Sequence, residues 1–205
     1  MFIGGGMRPG ALSAAHARIR RGRTVFRKAT MSDLDAVSAI YDAIHAREEA
    51  GLATIGWIRG VYPVRATAEA SILAGTMFVM EEDGRIIAAA KIDQEQGEAY
   101  RRAAWEHPAD DGEVMVLHTL VVLPEMSGRG AGTRFVDFYE DYAARNGCPF
   151  LRMDTNARNL AARALYKKLG YCEADIVPCV FNGIPGVDLV CLEKKLSVRA
   201  GARPR

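Results

Sequence analysis

Residues 120–133 read Leu-Val-Val-Leu-Pro-Glu-Met-Ser-Gly-Arg-Gly-Ala-Gly-Thr, a strand-like run, a glycine turn and a helix start in succession. The amides of a helix's first turn lack intrahelical acceptors, and together with the helix dipole they attract anions. Glycine lets such a backbone approach a phosphate closely. The chemistry open to this segment is anion holding; the competing reading is a tight turn whose glycines serve packing alone. No Lys-Ser/Thr pair follows the glycines, which excludes a Walker A loop. Gly128, Gly130 and Gly132 form GxGxG late in the chain, a poor fit to a dinucleotide-binding turn.

His118 precedes Leu120 by two residues, so strand alternation predicts that both side chains face the same way. An imidazole titrating near pH ~6.5 suits proton transfer at neutral pH, although a lone histidine in an apolar strand is also a common core residue. The other histidines (His16, His45, His107) are scattered, without HxxxH or Cys/His clusters, and no metal site is expected. Cys148, Cys172, Cys179 and Cys191 show no CxxC and read as reduced, mostly buried thiols.

The elements that must position these residues follow from periodicity and turn chemistry. A short strand is expected at 24–29. Thr30 to Asp33 then resembles a capping box opening a helix with Leu34, Val37, Ile40, Tyr41 and Ile44 on one stripe. Thr67 is expected to cap a second helix ending at Gly75. Strand-like runs at 76–80 and 85–92 flank Asp83-Gly84, a hairpin signal. Residues 93–112 are polar and read as a loop. Residues 113–123 read as a strand buried on both faces. The helix after the glycine turn carries Phe135, Phe138, Tyr139 and Tyr142 and closes at Asn146-Gly147. A strand at 150–154, a helix at 159–169 and strands at 171–181 and 187–193 complete the chain. This order predicts one mixed sheet with helices on its faces.

Two motifs in that frame resemble the GNAT superfamily of N-acetyltransferases. Val122-Leu123-Pro124 followed by Gly130-Ala131-Gly132 matches its acetyl-CoA motif, except that Ser127 stands where the family usually has Gln or Arg. Asn159, Ala162, Leu165, Tyr166, Leu169, Gly170 and Tyr171 match the spacing of its second motif. Element order agrees over about residues 24–196, and the motifs cover 113–171. The fold implied is a single α/β domain, a central mixed β-sheet of about seven strands flanked by about four helices.

The resemblance also implies roles. Backbone amides of Gly128, Arg129, Gly130, Ala131, Gly132 and Thr133 would hold the CoA pyrophosphate. Leu120, Val121 and Val122 would pair through their main chain with the pantetheine arm, the Leu120 amide also polarising the thioester carbonyl. Asn159 would hydrogen-bond the cofactor and Ala162 would leave room for it. Tyr166 occupies the family's general-acid position, where it would protonate the departing thiolate. An alkylamine has a pKa of ~10 and needs a base before it can attack. His118 matches a catalytic histidine of serotonin-type enzymes. Asp154 matches a catalytic glutamate of bacterial ribosomal-protein acetyltransferases, and Glu113 is a third candidate. Trp57, Tyr62 and Pro63 fall where the superfamily lines its acceptor pocket. Apart from the resemblance, Phe181 and the 183–186 turn join the last two strands and are expected to close the other side.

Composition bounds these readings. The chain has 205 residues, 49% hydrophobic and 25% charged, ordinary for one globular domain. No apolar run reaches the ~20 residues needed to span a bilayer, and the first thirty residues lack a secretory apolar segment, so the expectation is a cytoplasmic protein without membrane association. Residues 1–28 carry seven basic residues and no acid, and 197–205 add Arg199, Arg203 and Arg205. The stretch 29–196 holds 17 basic and all 25 acidic residues, a net of −8. An acidic body does not suit nucleic-acid binding but suits a cationic acceptor. The domain reading is a basic head at 1–23, a catalytic domain at 24–196 and a basic tail at 197–205. The functional reading is direct acetyl transfer from acetyl-CoA, without metal, to a primary amine of a small molecule. The alternatives are a non-catalytic CoA-binding sensor or scaffold and a protein N-terminal or lysine acetyltransferase; a nucleic-acid factor using the basic head is a further rival. Homodimers are frequent in the superfamily, and no residue pattern here identifies an interface.

Overall fold

A computed structural model describes residues 23–197. The basic head and tail, apart from their innermost residues, lie outside that range. The elements are β1 (Thr24–Lys28), α1 (Leu34–Glu49), α2 (Arg65–Leu73), β2 (Met77–Glu82), β3 (Arg85–Asp93), α3 (Glu98–Arg102), β4 (Val114–Val122), α4 (Ala131–Arg145), β5 (Phe150–Asn156), α5 (Leu160–Lys168), β6 (Cys172–Phe181) and β7 (Ile184–Lys195). They form one seven-stranded mixed sheet in the order β1-β2-β3-β4-β5-β7-β6. Only β4 and β5 are parallel, and α4 is the crossover that a parallel pair requires.

Local chemistry accounts for most boundaries. Asp33 accepts from the Thr30 amide at 2.7 Å, closing the expected capping box ahead of α1. Glu82 pairs with Arg85 across Asp83 (φ 51°) and Gly84 (φ 81°), the two left-handed residues of a tight hairpin. Phe181 pairs with Ile184 across Asn182 and Gly183 in the same manner. That two-residue turn starts β7 at Ile184 rather than Val187. The second helix begins before Thr67: the Thr67 hydroxyl accepts from the Val64 amide at 3.1 Å, so it reaches back from inside the first turn. The polar stretch expected as loop contains α3, a fifth helix, whose Tyr100 is buried.

The stripes bury as their periodicity demands. Val37, Ile40 and Tyr41 of α1 are 2% exposed or less. On α4, Phe135 and Tyr139 are fully buried, and Phe138 stacks on Phe26 at 4.7 Å. The Tyr139 hydroxyl lies 2.6 Å from the Met115 carbonyl and 3.1 Å from that of Arg152, holding α4 where β4 and β5 still run together. Strand β4 is buried on both faces only from Val114 to Leu117; from His118 to Leu120 it is half-exposed. This departure from the expected continuous core strand marks where the site begins.

Candidate active site

Parallel pairing of β4 with β5 ends at Leu117↔Met153, yet β4 continues to Val122 and β5 to Asn156. Beyond that point each strand keeps only its outer neighbour: Val121 and Val122 pair with β3, and Asp154 to Asn156 with β7. The facing edges are left without partners, and unpaired strand edges are templates for an extended ligand. A β-bulge opens the wedge. Thr119 is left-handed at φ 52°, and the register on β3 slips between Ala89 and Lys91. A non-glycine residue held there marks stored strain, which concentrates at functional sites.

A cavity of about 260 Å³ fills the wedge. Its walls include Leu120, Val121 and Val122 from β4, Ser127 and Gly132 from the turn and α4, and Asn159, Ala162 and Tyr166 around α5. Gly128, Arg129, Gly130, Ala131 and Thr133 adjoin it without lining it. Gly128 (φ 74°) and Gly130 (φ 76°) are both left-handed, and Gly130 is the N-cap of α4. Among the described residues, the amides of Gly128, Gly130, Ala131, Gly132 and Thr133 have no acceptor. The Arg129 amide is engaged in the turn, donating to the Met126 carbonyl at 3.3 Å. Five free donors at a 15-residue helix's start are of the kind that can hold a phosphate. Gly132 does serve packing as well, because a Cβ there would sit 3.2 Å from Leu165 Cδ2.

Asn159 caps α5, its Oδ1 accepting from the Ala162 amide at 3.2 Å, which leaves its Nδ2 as the group free for a ligand. Tyr166 is 6% exposed, and its hydroxyl has no partner among the described residues. Burial, with the Asp154 charge adding, pushes that hydroxyl well above its ordinary range, so it stays protonated at neutral pH.

A second cavity of about 730 Å³ adjoins the first. Tyr62, Thr119, Asp154, Phe181 and Leu189 line both. The expected acceptor aromatics do converge: Trp57 meets Tyr62 edge-on at 6.0 Å and Tyr62 meets Phe181 at 5.6 Å. The Tyr62 hydroxyl hydrogen-bonds Thr119 Oγ1, pinning the connection between α1 and α2 onto the bulge. Pro63 lines neither cavity; its carbonyl bonds His45 Nε2 at 2.9 Å. Of the 183–186 turn, no residue lines either cavity.

The three expected bases separate. Glu113 lies at the exposed foot of β4, where it accepts from the Asp110 amide at 3.4 Å, and it lines neither cavity. Asp154 sits at their junction and accepts from the Tyr100 hydroxyl at 2.8 Å. Burial raises its carboxyl above the usual range, with His118 and Tyr100 pulling the other way. His118 lines the second cavity while Leu120 lines the first. The expectation that they share a face fails because the bulge at Thr119 interrupts the alternation.

His118 Nε2 lies 3.2 Å from Asp93 Oδ1. Lys91 holds the other Asp93 oxygen at 3.0 Å and Glu95 at 2.6 Å. Burial alone would raise Asp93, but the bonds from His118 and Lys91 outweigh it and hold the carboxyl below its ordinary value. Neither Asp93 nor Tyr100 was visible as a site residue. They lie 25 residues before His118 and 54 before Asp154 in a segment that reads as a strand end and loop, and no spacing rule connects them. One His/carboxylate group with donors within 4.8 Å occurs among the described residues, at Glu106, His107 and Glu193. It lies away from both cavities, and the Glu193 carboxylate is engaged by the Glu106 amide at 2.5 Å.

A family model for the acetyltransferase (GNAT) family matches residues 41–171, more than half of the chain. An N-acetyltransferase of Bacillus subtilis (strain 168), YhfO, itself uncharacterized, is 38% identical over 60 residues, 29% of this chain and 40% of that protein. MJ1207 of Methanocaldococcus jannaschii, likewise an uncharacterized N-acetyltransferase, is 30% identical over 73 residues, 36% of this chain and 32% of that protein. The matched region thus spans less than half the length of either relative. Among solved structures, a GNAT-family acetyltransferase from Streptococcus agalactiae 2603 superposes with a TM-score of 0.72 at 23% identity, covering 85% of this chain and 96% of the other. The structure of yncA from Salmonella typhimurium, which holds its cofactor acetyl-CoA, superposes at 0.58 with 22% identity, covering 87% and 96%. The matched family model and the seven-stranded mixed sheet agree: the chain belongs to the acetyltransferase (GNAT) family.

Proposed function

We propose that the protein transfers the acetyl group of acetyl-CoA directly to a primary amine of a small molecule. The observation that carries this reading is the wedge between β4 and β5, which runs from the free amides at the start of α4 to a second cavity through Thr119 and Asp154. The amides of Gly128, Gly130, Ala131, Gly132 and Thr133 would hold the pyrophosphate. The unpaired edge from Leu120 to Val122 would take the pantetheine arm, with the Leu120 amide as donor to the thioester carbonyl. Asn159 Nδ2 and the small Ala162 complete the cofactor side. Acetyl-CoA supplies the activated acyl group and a thiolate leaving group.

The chain's own residues then have distinct tasks. Tyr166, buried, protonated and unpartnered, gives its proton to the leaving sulfur. His118 takes the proton from the amine, and Asp154, at the junction of the cavities, draws the cationic acceptor inward. Direct transfer is favoured because Cys179, the cysteine that lines the acceptor cavity, has its thiol raised by burial and is a poor nucleophile. A concave cavity of about 730 Å³ walled by Tyr62, Tyr100 and Phe181 is of the size that holds small ligands, which favours a metabolite over a protein surface.

The test is free-thiol release from acetyl-CoA across a panel of amines, with wild type, Tyr166→Phe and His118→Ala. Acceptor-dependent release that falls by roughly 10²-fold or more in Tyr166→Phe is the expected result. Tight CoA binding with no release from any amine would make the protein a CoA-binding module and overturn the enzyme reading.

A further inference from the structure

The proton acceptor must present a lone pair to the amine, and a histidine offers one of two nitrogens according to what the other one bonds. His118 Nε2 faces Asp93 Oδ1 at 3.2 Å, while Nδ1 has no partner among the described residues. Asp93 is itself anchored: the Glu95 amide donates to Oδ1 at 3.1 Å, and Lys91 Nζ lies 3.0 Å from Oδ2. An ionised carboxylate only accepts hydrogen bonds, so the neutral imidazole must carry its proton on Nε2.

The other charged side chains around His118 are Lys91 on β3, Asp154 on β5, and Glu95, Glu98 and Arg102 ahead of and on α3. Tyr41 from α1, Tyr62 and Tyr100 present phenols that burial raises above their ordinary range, and Cys179 of β6 a thiol raised likewise, so these four stay neutral. Lys91 is shared between Asp93 and Glu95. Asp154 is raised and loses its charge first on acidification, whereas Asp93 is held low and keeps it. Of these two aspartates, Asp93 is therefore the one that keeps its charge beside His118 as the pH falls.

We propose that Asp93 is a positioning residue that fixes the His118 imidazole with its Nδ1 lone pair available to the acceptor cavity, so that a His–Asp pair accepts the proton of the transfer. The proposal rests on the acetyl-transfer reading above. In the step, the cationic acceptor nitrogen gives one N–H proton to Nδ1 and uses the freed electron pair for the new C–N bond as the C–S bond of the thioester breaks. The departing thiolate takes the Tyr166 proton, and the second proton that nitrogen loses on becoming an amide restores the Tyr166 hydroxyl. The proton on Nε2 stays shared with Asp93, and the carboxylate balances the imidazolium charge.

The experiment joins a substrate-free readout to a kinetic one. The imidazole C–H signals of His118, assigned by their loss in His118→Gln, are titrated by NMR in wild type, Asp93→Asn and Lys91→Met. Loss of the carboxylate should move the His118 midpoint to lower pH, because an opposite charge within ~4–6 Å favours the charged form. Loss of the competing lysine should move it to higher pH, and this second variant decides the matter should Asp93→Asn fail to fold. The acid limb of kcat/KM for thiol release should move in the same directions. In Asp93→Asn, kcat should fall roughly 10- to 100-fold, with the acceptor KM within about threefold. Midpoints unmoved in both variants would overturn the pairing. Midpoints that move while the kinetic limb stays would overturn the role of His118 as base. No thiol release by wild type with any amine would overturn the acetyl-transfer reading and the base role with it, while the NMR result still reports on the pairing.

Discussion

Replacing Gly130 by alanine isolates the backbone's part in the anion site. Gly130 caps α4 at φ 76°, ψ 11°, and a Cβ there meets nothing within 4 Å. The penalty is therefore conformational and not steric. Holding an L-residue in the left-handed region costs roughly 1–2 kcal/mol, and the narrower unfolded ensemble of alanine returns about 0.4–1 kcal/mol. A net loss near 1 kcal/mol corresponds to a fall in Tm of about 2–4 °C for a chain of this size. Binding should suffer more than folding. If the strain relaxes by rotation of the 130–131 peptide, the Ala131 amide turns away from the pyrophosphate. One lost hydrogen bond to a charged group is worth roughly 1.5–3 kcal/mol, about 10- to 100-fold in CoA affinity. Gly112→Ala is the control, since that glycine also has open space around it but no positive φ. Thermal melts and calorimetric CoA titrations of the three proteins would read both effects. Gly130→Ala that melts like the control and binds CoA with wild-type affinity would refute the argument, because neither the left-handed cap nor the amides it aims would then matter.

Two further substitutions separate capping and charge from binding. Asn159→Ala should lower stability by about 1 kcal/mol through loss of the α5 cap and weaken CoA binding, whereas Asn159→Asp should keep the cap and stability but still weaken CoA binding; melts and titrations that fall together in both would contradict the assignment of Oδ1 to the helix and Nδ2 to the ligand. The Arg27 guanidinium, bonded to Asp33 at 2.7 and 2.9 Å, lowers that carboxyl from 3.8 to about 2, so its contribution is present above pH ~4 and is lost as pH falls through about 2. That gap is worth at most roughly 2 kcal/mol, less the screening of a one-third-exposed Arg27. Denaturant melts of wild type and Asp33→Asn should therefore differ at pH 7 and converge near pH 2, and a difference independent of pH would sink the idea.

What the sequence determined by itself was everything set by neighbours along the chain. Asp83-Gly84 makes a hairpin because both turn residues adopt left-handed backbone. The stripe of Phe135, Phe138 and Tyr139 buries because a helix repeats every 3.6 residues. The glycine turn, the start of α4 and the cap at Asn159 follow the same local logic, and they compose the expected cofactor side of the site. The helix missed from the sequence was not local in cause: α3 is a five-residue helix in a polar stretch, short enough for burial of Tyr100 to decide it where periodicity cannot. Only the tertiary structure decided the rest. The bulge at Thr119 arises from the pairing of β4 with β3, and it turned His118 away from the cavity of Leu120. The same divergence of strands opened the wedge beyond Leu117 and Met153. Asp93 meets His118, and Tyr100 meets Asp154, across strands and connections that no spacing relates. Short-range rules act through covalent geometry and are written into the order of residues. Contacts between distant segments exist only once the sheet register is chosen, and that register is settled by the packing of the whole core.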